Sequence, residues 1–301
     1  MKFAFKNRFF KSFEPVNLGK EISFNLNGAF SQINSSVAGK LFLNRFSVSD
    51  LFEIFEEVGI LPHLEALGFH DFSLTTDVDE SRVQYLKLYT GEKLPNNILF
   101  DLRLSESKFI PDKKFFNDNT TIIPYDMVVI EWLSAQNPMN EKFTGGKPQL
   151  PGQKKPGLGI LKFCFEMMKI VGHEVTRDGF LDIPDHMHGA VMYSKNFQFF
   201  DPVHEAIFRA ILRDLRDYSL SDVSWGMITG TIIEKYKNAP QVYDPSEQIF
   251  PVSSRMNDYF ESRNYKSVFN KYYRLKKYRF EFNEMLKIRE DILKKKSMVD
   301  V

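Results

Sequence analysis

The chain has 301 residues, 43% hydrophobic and 26% charged, enough for one large or two modest domains with a sizeable core. Forty basic against thirty-nine acidic residues leave a formal net charge of +1, which excludes a global electrostatic pull on nucleic acid or an anionic membrane. The single cysteine, Cys164, excludes an intrachain disulfide and a Cys-rich zinc site, and no apolar run approaches the roughly 18 residues of a membrane span, so a soluble cytoplasmic protein is expected.

The N-terminal MKFAFKNRFFKSFEPVNLG is basic and aromatic, without the apolar core and cleavage site of a signal peptide. The first eighty residues read as helical. Ser49-Asp50 can cap SDLFEIFEEVGI, where Leu51, Ile54, Phe55 and Val58 recur at helical spacing; Gly59 and Pro62 interrupt it, and HLEALGF makes a second helix closed by Gly68.

Strands are expected at 83–91, 97–107 and 125–135. Ile98, Phe100, Leu102 and Leu104 alternate with mostly polar neighbours, as in a half-buried antiparallel strand, and MVVIEWL suits a central strand covered on both faces. A loop dense in Gly, Pro and Lys (137–157) leads to an amphipathic helix over 159–172, a short strand at 179–183, a helix over 186–195 and a short strand at 197–202. From Val203 the pattern is helical, broken by the Pro-punctuated link APQVYDPSEQIFPVSS.

The glycine turn KKPGLG opens a helix, and a strand–turn–helix of this kind presents free backbone N–H groups at the positive end of the helix dipole. That arrangement can bind phosphate or pyrophosphate. Gly157 and Gly159 allow close approach of the backbone, and Lys154 and Lys155 add positive charge. A simple turn before a helix is the other reading of the same residues.

The order of elements resembles the GCN5-related N-acetyltransferase (GNAT) superfamily. Lys154-Lys155-Pro156-Gly157-Leu158-Gly159 is similar to the family's pyrophosphate loop, and Ala190-Val191-Met192-Tyr193-Ser194-Lys195-Asn196-Phe197-Gln198-Phe199 to its tyrosine-bearing segment. Two departures stand out: Lys154 occupies the place of Gln or Arg, with Gln153 one position early, and the preceding linker is long.

The resemblance covers roughly 45–202. It implies an α+β fold with a mixed, mostly antiparallel central sheet flanked by helices, preceded by an extension over 1–44 and followed by a helical region over 203–301 packed on the core. It further implies an acyl-CoA-dependent N-acyltransferase using acetyl-CoA or another acyl-CoA as cosubstrate, with a small-molecule amine as acceptor. Gln153, Lys154, Lys155, Gly157, Leu158 and Gly159 would hold the cofactor, and Tyr193 would protonate the departing thiolate. Glu131, in the apolar MVVIEWL, is the candidate general base, since burial there would raise its pKa. The alternative is a catalytically inactive GNAT-like binding or scaffold protein.

Asp185, His186 and His188 form a second titratable cluster, but i,i+2 on a helix separates the two rings and no third ligand is evident, so no metal is expected. Asp185 reads as a helix cap, Cys164 as a core residue, and Trp132 and Trp225 as packing residues. The C-terminal KSVFNKYYRLKKYRFEFNEMLKIREDILKKK interleaves basic and aromatic residues. It suits a helix docking through Val268, Tyr272, Leu275 and Phe282 better than nucleic-acid binding, because acidic residues interrupt it.

Overall fold

Ser47, two residues before the expected cap, starts the first helix. Its hydroxyl accepts from the Asp50 N–H at 3.2 Å while the Asp50 carboxylate accepts from the Ser47 N–H at 2.8 Å, a reciprocal capping box. Helix α1 (Val48–Glu57) buries Leu51, Ile54 and Phe55, and Gly59, at φ 88°, makes the left-handed turn into α2 (Ile60–Ala66). The computed structural model describes residues 13–15, 41–116, 122–139, 149–153, 155–175 and 177–297.

Four antiparallel strands follow: β2 (Phe72–Val78), β3 (Gln84–Thr90), β4 (Ile98–Phe109) and β5 (Tyr125–Ala135). The last three match the strands expected at 83–91, 97–107 and 125–135. Strand β2 corrects the helical reading of the first eighty residues: its β-branched Thr75, Thr76 and Val78 favour an extended chain, and it pairs with β3 along its whole length. A short strand, β1 (Phe13–Pro15), pairs with the far end of β4.

Helix α3 (Leu161–Val175) crosses over from β5 to β6 (Gly179–Asp182), and that crossover makes β5 and β6 parallel in an otherwise antiparallel sheet. After α4 (Met187–Tyr193) comes β7 (Gln198–Phe199). The chain leaves the sheet through α5 (Pro202–Asp214), α6 (Leu220–Thr229), β8 (Ile232–Glu234) and β9 (Ala239–Pro240). It returns as β10 (Gln248–Pro251), between β6 and β7, for a sheet order β2-β3-β4-β5-β6-β10-β7. The stretch read as a Pro-punctuated link therefore supplies an interior strand. Gly179 pairs with Pro251 of β10, and a Cβ there would collide with the Phe250 carbonyl.

The two faces of the sheet pack differently. On one, Leu102, Leu104, Val128 and Ile130 meet Cys164, Phe165 and Met168 of α3. On the other, Tyr125, Met127 and Leu181 meet Phe200, Met256 and Tyr259, the latter two from α7 (Ser254–Glu261). Asp178 ties these parts together: it accepts from the Asp126 N–H at 2.8 Å, the Ser253 hydroxyl at 2.7 Å and the Arg255 guanidinium. Burial pushes its carboxyl pKa up, but those three donors outweigh burial and hold it below the usual range.

The C-terminal region carries α8 (Arg263–Leu275), β11 (Tyr278–Phe280) and α9 (Phe282–Leu293), with β11-β8-β9 forming a small second sheet. Helix α8 docks on α5. Tyr265 is buried and donates to the Phe199 carbonyl at 2.7 Å, while Arg213 donates to the Tyr273 and Lys276 carbonyls at 2.6 and 2.7 Å. Of the expected docking residues Val268, Tyr272 and Phe282 are half-buried, whereas Leu275 is exposed because the helix ends there. Among the described residues no helix is long and apolar enough to cross a membrane.

Candidate functional site

The parallel ladder of β5 and β6 runs through Met127–Gly179, Val128–Phe180 and Val129–Leu181, then stops. Strand β6 ends at Asp182, while β5 continues to Ala135. Beyond Val129, β5 therefore runs on without β6 beside it. Crevices at the carboxyl ends of parallel strands are common ligand positions, because backbone groups there lack a strand partner.

The glycine turn folds back onto the end of β5. Gly157 lies opposite Gln136, the Leu158 N–H donates to the Ala135 carbonyl at 3.1 Å, and the Asn137 N–H donates to the Pro156 carbonyl at 2.8 Å. From α2, the His63 ring donates to the Leu158 carbonyl at 2.9 Å. Leu158 is buried, whereas Gly157 and Gly159 on either side are exposed, and Gly159 sits at φ 72°, where a side chain is strained. The turn leads into the N-terminus of α3, with Lys162 exposed on the first turn.

The other expected cofactor residues lie upstream in the same turn. Gln153 is held locally: its side-chain oxygen accepts from the Leu150 N–H at 3.1 Å and its carbonyl from the Gln149 amide at 2.6 Å. The Lys155 ammonium donates to the Pro138 carbonyl at 3.0 Å. Lys154 lies outside the described residues.

Tyr193 closes α4 and packs its ring on Phe165 of α3 and on Phe197, with centroids 6.1 and 5.0 Å apart. Burial raises its pKa well above the ordinary phenol value, and Asp182 and Cys164 add to that. Asp182 is half-buried at the end of β6. Burial lifts its carboxyl to about 7; the Ile183 N–H opposes that, while Asp185 and Glu131 add to it. Its antiparallel partner across the sheet is Gln248, fully buried, which donates to the Ala190 carbonyl of α4 at 3.1 Å. Tyr193 thus lies within electrostatic reach of Asp182, a carboxylate that sequence reasoning missed. The available signal was GFLD, a carboxylate closing a short apolar strand.

Glu131 is exposed, which corrects the expectation of an apolar surrounding; its carboxylate accepts from the Ser105 hydroxyl. The cause is a bulge in β5. Leu104 pairs with Ile130 but Arg103 with Trp132, so the inserted Glu131 is turned out to the open face. Trp132 is also not a packing residue, being 49% exposed, whereas Trp225 is fully buried.

Asp185 does not cap α4. His186 holds the N-cap position, with no side-chain cap bond. Its extended backbone, rather than a helical one, lets the two histidine rings stack at 5.2 Å, against the separation expected for i,i+2. Burial, with His186 adding, pushes His188 down to about 4, and its Nδ1 is buried without a hydrogen-bond partner. Tyr243 donates to the Pro184 carbonyl at 2.8 Å beside this pair. Cys164 is buried and its thiol pushed up to about 12, a packing group and not a nucleophile. Among the described residues no group of three or more His, Cys, Asp or Glu is placed to hold a metal ion.

The geometry is thus a parallel ladder that ends at Val129–Leu181, an exposed glycine turn folded onto the end of β5 at a helix N-terminus, and Asp182 closing β6 within electrostatic reach of Tyr193. No protein-family model matches the chain, and no curated protein matches it.

Proposed function

We propose that this protein is a GNAT-like acyl-CoA-dependent N-acyltransferase acting on a small-molecule amine. The observation that carries the reading is the end of the parallel β5–β6 ladder at Val129–Leu181, with Asp182 next on β6 and Tyr193 within its electrostatic reach. A carboxylate near 7 is matched to deprotonating an incoming ammonium at neutral pH. The free amine then attacks the thioester carbonyl, the C–N bond forms, the C–S bond breaks, and the electron pair leaves on sulfur. The protonated Tyr193 hydroxyl would donate a hydrogen bond, and finally its proton, to that thiolate, and the second proton shed by the acylated nitrogen would restore the phenol. The exposed Gly157 and Gly159 at the start of α3 would take the pyrophosphate.

A scaffold without catalysis is the second reading. It is favoured by the Leu158 N–H and the Lys155 ammonium, both of which already bond within the chain. Calorimetric titration with acetyl-CoA separates the two. Binding that Gly159→Val weakens, followed by CoA release with an amine panel, supports the enzyme. Binding without release on any amine refutes acyl transfer, and no heat at all supports the scaffold, whose turn is closed to the cofactor.

A further inference from the structure

The basic-aromatic segment near the C-terminus is divided by the fold into two sides. Helix α8 packs Tyr265, Phe269 and Tyr273 against the body of the protein and carries no acidic residue along its length. Arg263, Ser267, Asn270 and Arg274 follow one another at i, i+4, i+7 and i+11 and are all exposed, with Lys271 exposed beside them. The row is about 16 Å long. The carboxylates that interrupt this segment in sequence, Glu281, Glu284, Glu290 and Asp291, sit at the start of α9 or along it, and α9 packs on α6. Among the described residues Arg263, Lys271 and Arg274 form no ion pair, while Lys266 pairs with Glu261.

Beside α8 lies a cavity of about 280 Å³, walled by Phe115, Tyr259 and Val268 and bordered by Lys114, Asn264 and Asp201. A short 3-10 turn, Lys113–Phe115, forms one side, and the Asn264 amide holds it there by donating to the Phe115 carbonyl at 3.2 Å. Lys114 lies 3.7 Å from Asp112, an exposed and weak pair. The volume falls just below the range of about 300–1,000 Å³ for drug-sized ligands and suits one flat ring system.

A row of cations fits a row of anions. A helix lying on a membrane needs its apolar side free, and the apolar side of α8 is already spent on the protein; the groups between its cations are the polar Ser267 and Asn270. That favours a phosphate backbone. Asp201 repels a phosphate from the cavity but accepts from the N–H of a base, which only an unpaired base can bring there. We propose that α8 binds a single-stranded nucleic acid, with phosphates along Arg263, Lys271 and Arg274 and one unpaired base in the cavity against Phe115. Lys114 supplies the positive charge beside that base. None of these residues takes part in the acyl-transfer reading, so the two stand or fall separately.

The test is fluorescence anisotropy with a labelled oligonucleotide of about 12 nucleotides, as RNA, as DNA and as the DNA duplex, in rising salt. A single strand should bind about tenfold or more tighter than the duplex, and the tighter of RNA and DNA identifies the partner. Log K should fall with log salt at a slope of about −0.7 per phosphate held, and Lys271→Gln combined with Arg274→Gln, both at exposed positions, should flatten that slope by about 1.4. Val268→Trp, which fills the cavity, should bring single strand and duplex to equal affinity and leave the slope in place. No binding at about 50 mM salt, or a slope that the double substitution does not move, overturns the proposal. A duplex bound by the unaltered protein as tightly as the single strand overturns the base seat. Sedimentation with phosphatidylserine vesicles, without strand binding, would give the face to a membrane and overturn it as well.

Discussion

Replacing Asp182 with asparagine keeps the shape of the side chain and removes its titration. The wild-type carboxyl sits at about 7 against 3.8 for an ordinary one. Between those values the folded protein binds a proton that the unfolded chain has released, so stability falls as pH rises from about 4 to about 7. A gap of about 3 pH units corresponds to about 4 kcal/mol, and partial exposure reduces that to about 2–4 kcal/mol. The opposite slope from His188, held near 4, is common to both proteins and cancels in the comparison.

The assay is urea unfolding of wild type and Asp182→Asn from pH 4 to 8, at constant ionic strength. The variant should gain relative to wild type as pH rises, levelling off above pH 7. Its turnover should fall by about two orders of magnitude or more, with acetyl-CoA affinity retained, because the base is lost and the binding turn is not. A stability difference that stays constant across that range would refute the burial argument for Asp182, and an undiminished turnover would refute its role as base.

Tyr193→Phe should lower kcat about tenfold to a hundredfold without changing acetyl-CoA affinity; an unchanged kcat would remove the hydroxyl from the mechanism. Gly179→Ala should cost about 3 kcal/mol or more in chemical denaturation, since its Cβ has no room beside the Phe250 carbonyl, while Gly68→Ala, with open space around it, should cost about 1 kcal/mol. Asp178→Ala leaves Arg255 without its carboxylate and should cost about 3 kcal/mol at pH 7. Because the Asp178 carboxyl lies below the usual range, that difference should narrow only as pH falls below about 4, which acid titration of the two proteins by circular dichroism will show.

Much of the fold is legible in local periodicity. Helix α3 follows from Cys164, Phe165, Met168 and Val171 recurring on one side, and β4 from the alternation of Phe100, Leu102 and Leu104. Strand β10 is not legible: QIFP, lying close to the prolines of its link, is four residues long and has no period to read. It becomes a strand only because β6 and β7 leave a gap of strand width between them. Strand β2 was missed for a related reason, since its two threonines carry a β preference that its neighbours Asp71 and Asp77 dilute.

For the site, the chain alone determined the helix that bears Tyr193, the glycine pair before α3 and the apolar strand that contains Glu131, because each is a property of neighbours in sequence. Tertiary structure decided which carboxylate is perturbed. Asp182 is lifted because α3, α4 and β10 close over the end of β6, whereas one extra residue in β5 turns Glu131 outward. Desolvation depends on which surfaces meet, and one of those covering Asp182, β10, comes from more than fifty residues along the chain.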